Sequence, residues 1–160
     1  NKARTGAGIN MASTIDSATL KVLFQEDITL NGTKRGAKIL HTFSSITQVD
    51  ERILTVPTYD VNVLILSSSA GAGTYETSAF EYARLTNLDD SNFLTITVAS
   101  GSEGSKYVQK LPPKMSLVFT SPSISGSSSG AAFDTFSNFT SVKASADTAS
   151  VDLSLFVATT

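Results

Sequence analysis

Short runs of alternating apolar and polar residues constrain the fold of this chain more than any other feature. Residues 93–98, for example, read FLTITV. Successive side chains of a β-strand point to opposite sides. Apolar residues that recur at every second position therefore lie on one face of the strand. The last run is accordingly predicted to be the second strand of a final hairpin, with Val151, Leu153, Leu155 and Val157 directed inward. The pattern predicts strands with one buried face rather than helices.

Turn-forming residues separate these runs. Asn31-Gly32 is the strongest of them, because a type I′ hairpin turn requires positive φ at both central residues. Residues 78–87 would also suit a short helix, since Glu, Ala, Arg and Leu favour helices, but the alternation there favours a strand. About eight to ten strands without a long helix predict an all-β fold, namely an antiparallel β-sandwich that is jelly-roll-like.

The chain has 160 residues, enough for one domain with its own core and too few for two. Residues 1–17 are polar, small and aperiodic, which predicts an extended N-terminal arm. Residues 18–160 are predicted to form a single β-sandwich domain, with a Ser- and Gly-rich surface loop at 121–133. Met11-Ala12-Ser13 resembles a translation start, so the true N-terminus stays open.

Composition argues against several kinds of partner and cofactor. Charged residues make up 16% of the chain, against roughly 25% in typical globular proteins. The net charge is −2, and no basic cluster could neutralise a phosphate backbone. No apolar run approaches the roughly 18 residues of a membrane span, and the absence of Cys excludes disulfides and thiolate metal sites. We therefore expect no nucleic acid, no membrane and no cofactor.

The residues able to do chemistry do not form a recognisable motif. His41 is the single histidine, and no Gly-x-Ser-x-Gly turn supplies a nucleophile for it. Lys34, Arg35 and Lys38 stand beside glycines but lack the order of a phosphate-binding loop. These patterns predict a surface or packed histidine, a solvated turn and a protein that is not an enzyme.

Two adjacent carboxylates, Asp89 and Asp90, allow three interpretations. A calcium site would need about six or more oxygen ligands, and only Asn87, Asn92 and backbone carbonyls are near in sequence. A catalytic pair would have to face each other across a cleft, whereas adjacent turn residues point apart. The simplest interpretation is a hairpin corner, in which Asp side chains accept hydrogen bonds from nearby backbone amides. We therefore predict no metal-binding and no catalytic residues.

Three aromatic residues, Phe133, Phe136 and Phe139, recur at intervals of three. This spacing suits one face of a short helical turn or an aromatic plug. Large aromatic side chains dominate burial energetics, so the simplest prediction is that they fill the core. A subunit contact is the alternative.

Several segments resemble the small virion structural proteins of tailed bacteriophages, especially those of marine phages. The matching segments are RLTNLDDSNF (84–93), KLPPKMS (110–116) and VKASADTASVDLSLFVA (142–158). In the family, the first precedes a strand, the second forms a bend of the type KLxPGxS, and the third closes the chain as a hairpin. The resemblance covers most of residues 13–160. This sequence departs from the family pattern at Pro113-Lys114, where the family usually has a Gly.

The resemblance implies a non-enzymatic virion protein, assembled in the host cytoplasm. Its implied partners are other virion proteins, either the major capsid or the neck and tail subunits, and further copies in a homo-oligomer. A capsid decoration or cement protein that binds repeated sites on the shell is the leading expectation, and a neck, tail or fibre component is the alternative. A glycan-binding β-sandwich is the alternative from another class, although nine Phe, four Tyr and no Trp suit a sugar platform poorly.

The arm is the expected assembly element, because an extended segment can add to a neighbour's sheet through backbone hydrogen bonds. Its few apolar residues cannot by themselves offset an ordering cost of about 1 to 2 kcal/mol per residue. The predicted assembly contacts are Lys2, Arg4, Ile9, Met11 and Ile15.

Overall fold

The computed structural model describes residues 15–101, 106–126 and 135–160. In these residues the chain forms fifteen β-strands and one 3-10 turn at Thr77–Ala79. The strands are β1 (Ala18–Gln25), β2 (Ile28–Leu30), β3 (Thr33–Arg35), β4 (Lys38–Ile46), β5 (Gln48–Val56), β6 (Val61–Ser67), β7 (Tyr75–Glu76), β8 (Phe80–Asn87), β9 (Leu94–Ala99), β10 (Lys106–Leu111), β11 (Ser116–Phe119), β12 (Ser123–Ile124), β13 (Ser137–Asn138), β14 (Ser141–Ala146) and β15 (Val151–Thr159).

Nine of these strands form the two sheets of a sandwich. Sheet I has the order β11-β8-β15-β5, and sheet II has the order β10-β9-β14-β6-β7. All of their pairings are antiparallel except that of the two-residue β7 with β6. Buried side chains from both sheets belong to one hydrophobic cluster. The predicted all-β, antiparallel sandwich is confirmed, as is the strand predicted within residues 78–87.

The eight longer strands of the sandwich pair in a nested order. The first, β5, pairs with the last, β15, and the second, β6, pairs with the seventh, β14. The third, β8, pairs with the sixth, β11, and the fourth, β9, pairs with the fifth, β10. Such nesting is what results when one long antiparallel hairpin is rolled into two facing sheets.

The core lies between the sheets and follows the alternation of the sequence. Val151, Leu153, Leu155 and Val157 are at most 1% exposed, so their predicted inward direction is confirmed. Phe139 is fully buried, and its ring packs against those of Phe80 and Phe119 at centroid distances of 5.8 and 5.5 Å. Other large side chains that are fully or almost fully buried are Leu64, Leu66, Leu85, Leu94 and Ile96.

Of the three phenylalanines predicted to fill the core, the structure shows only Phe139 there. Phe139 is buried, Phe136 is 77% exposed, and Phe133 lies outside the described residues. The core prediction is therefore wrong for Phe136. The chain around β13 is extended rather than helical, and residues three apart in an extended chain point to opposite sides.

Two connections predicted to be hairpins instead pass from one sheet to the other. The loop with Asp89 and Asp90 joins β8 of sheet I to β9 of sheet II, and the final loop joins β14 of sheet II to β15 of sheet I. Both hairpin predictions are wrong. The same turn residues serve both kinds of corner, and strand pairing depends on contacts that are distant in sequence.

A side-chain contact joins the two sheets at one edge of the sandwich. Tyr75 on β7 donates a hydrogen bond from its hydroxyl to Oδ2 of Asp50 on β5, the edge strand of sheet I. Arg52 Nε lies 3.6 Å from the same carboxylate oxygen. Burial first, and then this hydrogen bond, raise the pKa of Tyr75 to about 12. The protonated phenol is therefore the form that the folded chain favours.

Candidate assembly surface

Residues 18–46 form one long hairpin, called the ribbon below, that belongs to neither sheet of the sandwich. Its two sides are β1 followed by β2, and β3 followed by β4. β1 pairs with β4 over its length, and further along β2 pairs with β3 around Asn31-Gly32. Asn31 and Gly32 have φ values of 50° and 77°, so the predicted hairpin is confirmed with the positive φ values it requires. A Cβ at Gly36, where φ is 126°, would overlap the carbonyl oxygen of Glu26.

The base of the ribbon packs on the outer face of sheet I. Leu20, Val22 and Phe43 contact a small cluster that contains Tyr82 and Phe156 of the sheet. The Tyr82 ring lies 5.5 Å from that of Phe43 and 6.0 Å from that of Phe156. A β-bulge between Ala18 and Leu20 marks this base, and bulges bend and twist the strands that contain them.

Beyond its base, the ribbon has no covering layer in the described structure. Every residue from Leu23 to Thr42 is exposed. Leu23 and Leu40, which are direct partners in the β1–β4 ladder, are each 56% exposed. Ile28 and Leu30 on the hairpin are exposed to a similar extent. A row of accessible apolar side chains thus runs along the ribbon.

Both faces of the ribbon carry apolar side chains. Leu20, Val22 and Phe24 stand opposite Phe43, His41 and Ile39, so these six share the face that packs on the sandwich at its base. Leu23 and Leu40 lie on the other face, between Lys21 and Lys38. A two-stranded ribbon with two apolar faces needs further packing, because isolated hairpins are marginally stable in water.

The ribbon and the rest of the chain carry opposite net charges. Residues 18–46 contain four basic and two acidic side chains, a net charge of +2. Residues 47–160, called the body below, contain six basic and eleven acidic side chains, a net charge of −5. The ribbon is therefore cationic as well as apolar.

A groove of about 280 Å³ lies between β1 and the outer face of sheet I. Its lining residues are Leu20, Lys21, Val22, Leu23, Tyr82, Arg84 and Phe156. The guanidinium carbon of Arg84 lies 5.7 Å from the centre of the Phe156 ring, while its Nε is buried without a hydrogen-bond partner. Burial raises the pKa of Tyr82. The groove is therefore lined by apolar and aromatic side chains together with two cationic ones, Lys21 and Arg84.

Most of the assembly contacts predicted from the sequence lie outside the described residues. Lys2, Arg4, Ile9 and Met11 precede residue 15, where the description begins. Ile15 is described, is 66% exposed and stands just before β1. The prediction that these five residues make contacts with a neighbour stays a prediction.

The single histidine and the basic turn both lie on the ribbon. His41 is exposed, as predicted, and the Phe24 ring meets its imidazole edge-on at 5.4 Å. Lys34, Arg35 and Lys38 are exposed at the hairpin and next to it, which agrees with a solvated turn.

The Asp89–Asp90 loop is held by hydrogen bonds to the backbone. Oδ1 of Asp89 accepts the backbone N–H groups of Ser91 and Asn92 at 2.7 and 2.6 Å. These donors, Asn92 first, hold the pKa of Asp89 below its usual value. The predicted turn role of Asp89 is therefore confirmed, although the turn connects two sheets. In the residues that the structure describes, no cluster of three or more His, Asp or Glu side chains could hold a metal ion.

Asn87 fastens this loop from inside the protein. It is fully buried, and its side-chain amide donates to the carbonyl oxygens of Asn92 and Leu111 at 2.9 and 3.2 Å. Its Oδ1 accepts the backbone N–H of Asp89 at 2.9 Å. Asn87 thus connects the end of β8, the inter-sheet loop and the end of β10.

Lys114 lies in the bend that follows Pro112-Pro113. Its φ is 60°, a left-handed conformation that costs a non-glycine residue some backbone strain. The Lys114 ammonium lies 2.8 Å from Asp90 and donates to the carbonyl oxygen of Leu88 at 2.6 Å. These contacts connect the bend to the Asp89–Asp90 loop.

Comparison with known proteins gives no family for the chain. It matches no protein-family profile, no curated protein and no solved structure. Over residues 15–101, 106–126 and 135–160, no helix has the length and apolar character to cross a membrane.

The exposed apolar ribbon was not predicted from the sequence, in which the preceding arm was the expected assembly element. A sequence feature could have identified it. Leu23-Phe24 on β1 and Ile39-Leu40 on β4 are consecutive apolar residues. Consecutive residues of a strand point to opposite faces, so two such pairs in facing strands predict a ribbon that is apolar on both sides.

Proposed function

We propose that this chain is a non-enzymatic structural protein of a bacteriophage particle, a capsid decoration or cement protein that binds repeated sites on the shell. The observation that supports it is the exposed ribbon, in which every residue from Leu23 to Thr42 is accessible although several are large and apolar. Exposed apolar patches on soluble proteins mark surfaces of interaction. The resemblance of three sequence segments to phage virion proteins supports the particle as the place of that interaction.

We further propose that the sandwich is a jelly roll. The nested pairing of β5 with β15, β6 with β14, β8 with β11 and β9 with β10 supports this assignment. Jelly rolls occur in viral capsid proteins and in lectins. A fold alone does not determine a function. The jelly-roll assignment therefore agrees with a role in the virion but is not evidence for it.

The number of copies per particle tests the proposal. Purified virions would be resolved on a denaturing gel, and the amount of this chain would be measured relative to the major capsid protein. A decoration protein is expected in hundreds of copies, whereas a neck or tail component is expected in roughly five to a dozen, as closed rings require. Absence from washed particles would overturn the virion assignment, and a low copy number would replace decoration by the neck or tail alternative.

A further inference from the structure

We propose that the ribbon of one copy docks on the outer face of β5 in a second copy of this chain, through Leu23 and Leu40 on the ribbon and Val49 and Ile53 on the acceptor. The inference deepens the proposed assembly function by naming the partner and the contact surfaces.

The donor surface is the ribbon face that carries Leu23 and Leu40. The opposite face makes the intramolecular contacts at the base, through Leu20, Val22 and Phe43. The Leu23–Leu40 pair lies on the face of the ribbon opposite to these three residues. Leu23 also lines the groove beside β1, but both leucines are 56% exposed, and no residue that the structure describes covers them.

The acceptor surface lies on the edge strand of sheet I. β5 pairs in that sheet only with β15, according to the described strand order, so its other edge is open. Val49, Glu51 and Ile53 alternate on its outer face, and Val49 and Ile53 are 54% and 66% exposed. An acidic side chain thus stands between two accessible apolar side chains.

The donor surface on the ribbon and the acceptor surface on β5 are complementary in charge, and both are partly apolar. The ribbon presents an apolar pair between Lys21 and Lys38, whereas the acceptor presents Glu51 between two apolar residues. Glu51 lies 4.0 Å from the Arg84 guanidinium of its own chain, but its side chain is 66% exposed and accessible to a further cation. The net charges of +2 on the ribbon and −5 on the body favour contact between a ribbon and the body of a neighbour over contact between two ribbons. This difference in net charge favours a second copy of the chain as the occupant.

The contact is heterologous, because donor and acceptor are different surfaces of the chain. Each copy can donate its ribbon to one neighbour and accept a ribbon from another. Such contacts close into rings or extend into open arrays, depending on the rotation between copies.

Sedimentation velocity of the full chain and three surface variants tests the inference. We expect the unaltered chain to associate with increasing concentration. The donor variant Leu23→Ser/Leu40→Ser and the acceptor variant Ile53→Ser should each raise the dissociation constant by about tenfold or more. Val108→Ser is the matched control, because Val108 is 60% exposed on β10 of sheet II and should leave association unchanged. Circular dichroism would confirm that each variant is folded.

A mixture of the two defective variants provides the sharpest result. The donor variant keeps an intact acceptor, and the acceptor variant keeps an intact ribbon, so the mixture should form dimers at concentrations where each variant alone is monomeric. A monomeric unaltered chain, an associating Ile53→Ser variant or a mixture that stays monomeric would overturn the inference. These outcomes are separable from the copy number: a monomer present in hundreds of copies per virion would overturn only the docking, and an oligomer absent from virions would overturn only the virion function.

Discussion

The sandwich and the ribbon are both built from antiparallel strands with many apolar residues, yet they bury these residues to very different extents. On β15 every second side chain faces the opposite sheet, and Leu153 and Leu155 are completely buried. On the ribbon, Leu23 and Leu40 are directly paired and both remain 56% exposed. The difference arises from the layer above the strand, because a strand pair buries its side chains only when a second surface covers them.

This difference separates two sources of stability. The sandwich contains its own second layer and is expected to be stable as a single chain. The outer part of the ribbon lacks such a layer within the described structure, so its order should depend on a neighbour. Substitutions in the sandwich should therefore change the stability of the isolated chain, and substitutions on the ribbon should change association.

The largest effect is expected for Phe139→Ala in the core. The substitution removes a fully buried ring that contacts Phe80 and Phe119, and it should lower the free energy of unfolding by about 3 to 5 kcal/mol. Phe136→Ala is the matched control, because Phe136 is 77% exposed, and it should change stability by about 0.5 kcal/mol or less. Urea denaturation of both variants measures the difference, and equal losses would contradict the assignment of the core.

A smaller loss is expected for Asn87→Ala. The alanine leaves the carbonyl oxygens of Leu111, which is buried, and of Asn92, which is half-buried, without their amide donor, which should cost about 1 to 3 kcal/mol. Urea denaturation would measure the loss. Asn138→Ala is a control, because Asn138 is exposed on β13. If Asn87→Ala lowered the free energy of unfolding no more than Asn138→Ala does, Asn87 would not stabilise the inter-sheet loop.

The contact at the edge of the sandwich predicts a dependence on alkaline pH. The pKa of Tyr75 is raised to about 12 from its ordinary value of 10.0, first by burial and then by its hydrogen bond to Asp50. The stabilisation is therefore complete below pH 10 and is lost as the pH rises from 10 through about 12. Tyr75→Phe should cost about 0.5 to 1.5 kcal/mol near neutral pH.

The variant also controls for other groups that titrate at high pH. Thermal denaturation would be followed in parallel for the unaltered chain and for Tyr75→Phe. The unaltered chain should lose more stability across this range than the variant. Identical alkaline curves would show that Tyr75 does not connect the two sheets in solution.

The smallest effect on the isolated chain is expected on the ribbon. Leu23→Ala and Leu40→Ala should each change the free energy of unfolding by about 0.5 kcal/mol or less, because both side chains are largely exposed. The measurement would be made at a concentration where the chain is monomeric. Leu155→Ala, in the core, should cost about 2 to 5 kcal/mol and provides the comparison. A ribbon variant as damaging as Leu155→Ala would remove the distinction between the two regions.

The features that could be predicted from the sequence depend on local chemistry. The inward face of β15 follows from alternation, and the hairpin at Asn31-Gly32 follows from the positive φ values that these residues tolerate. The turn role of Asp89 follows from its ability to accept backbone hydrogen bonds. Each of these predictions needs only neighbouring residues.

The features that were missed depend on contacts between distant residues. The Asp89–Asp90 loop has the composition of a hairpin corner, and only strand pairing shows that it joins two sheets. Phe136 and Phe139 are equally apolar, but one faces solvent and the other the core. The exposure of the ribbon also results from the absence of a covering layer in the described structure, which alternation within a strand cannot reveal.

Hydrogen–deuterium exchange at increasing protein concentration tests most directly whether the ribbon is an intermolecular element. Amides of β1 and β4 should become more protected as concentration rises, because a neighbouring copy covers and stabilises the ribbon. Amides of β8, β9, β14 and β15 should keep the same strong protection throughout, since the sandwich supplies its own core. Ribbon protection that does not change with concentration would contradict the account.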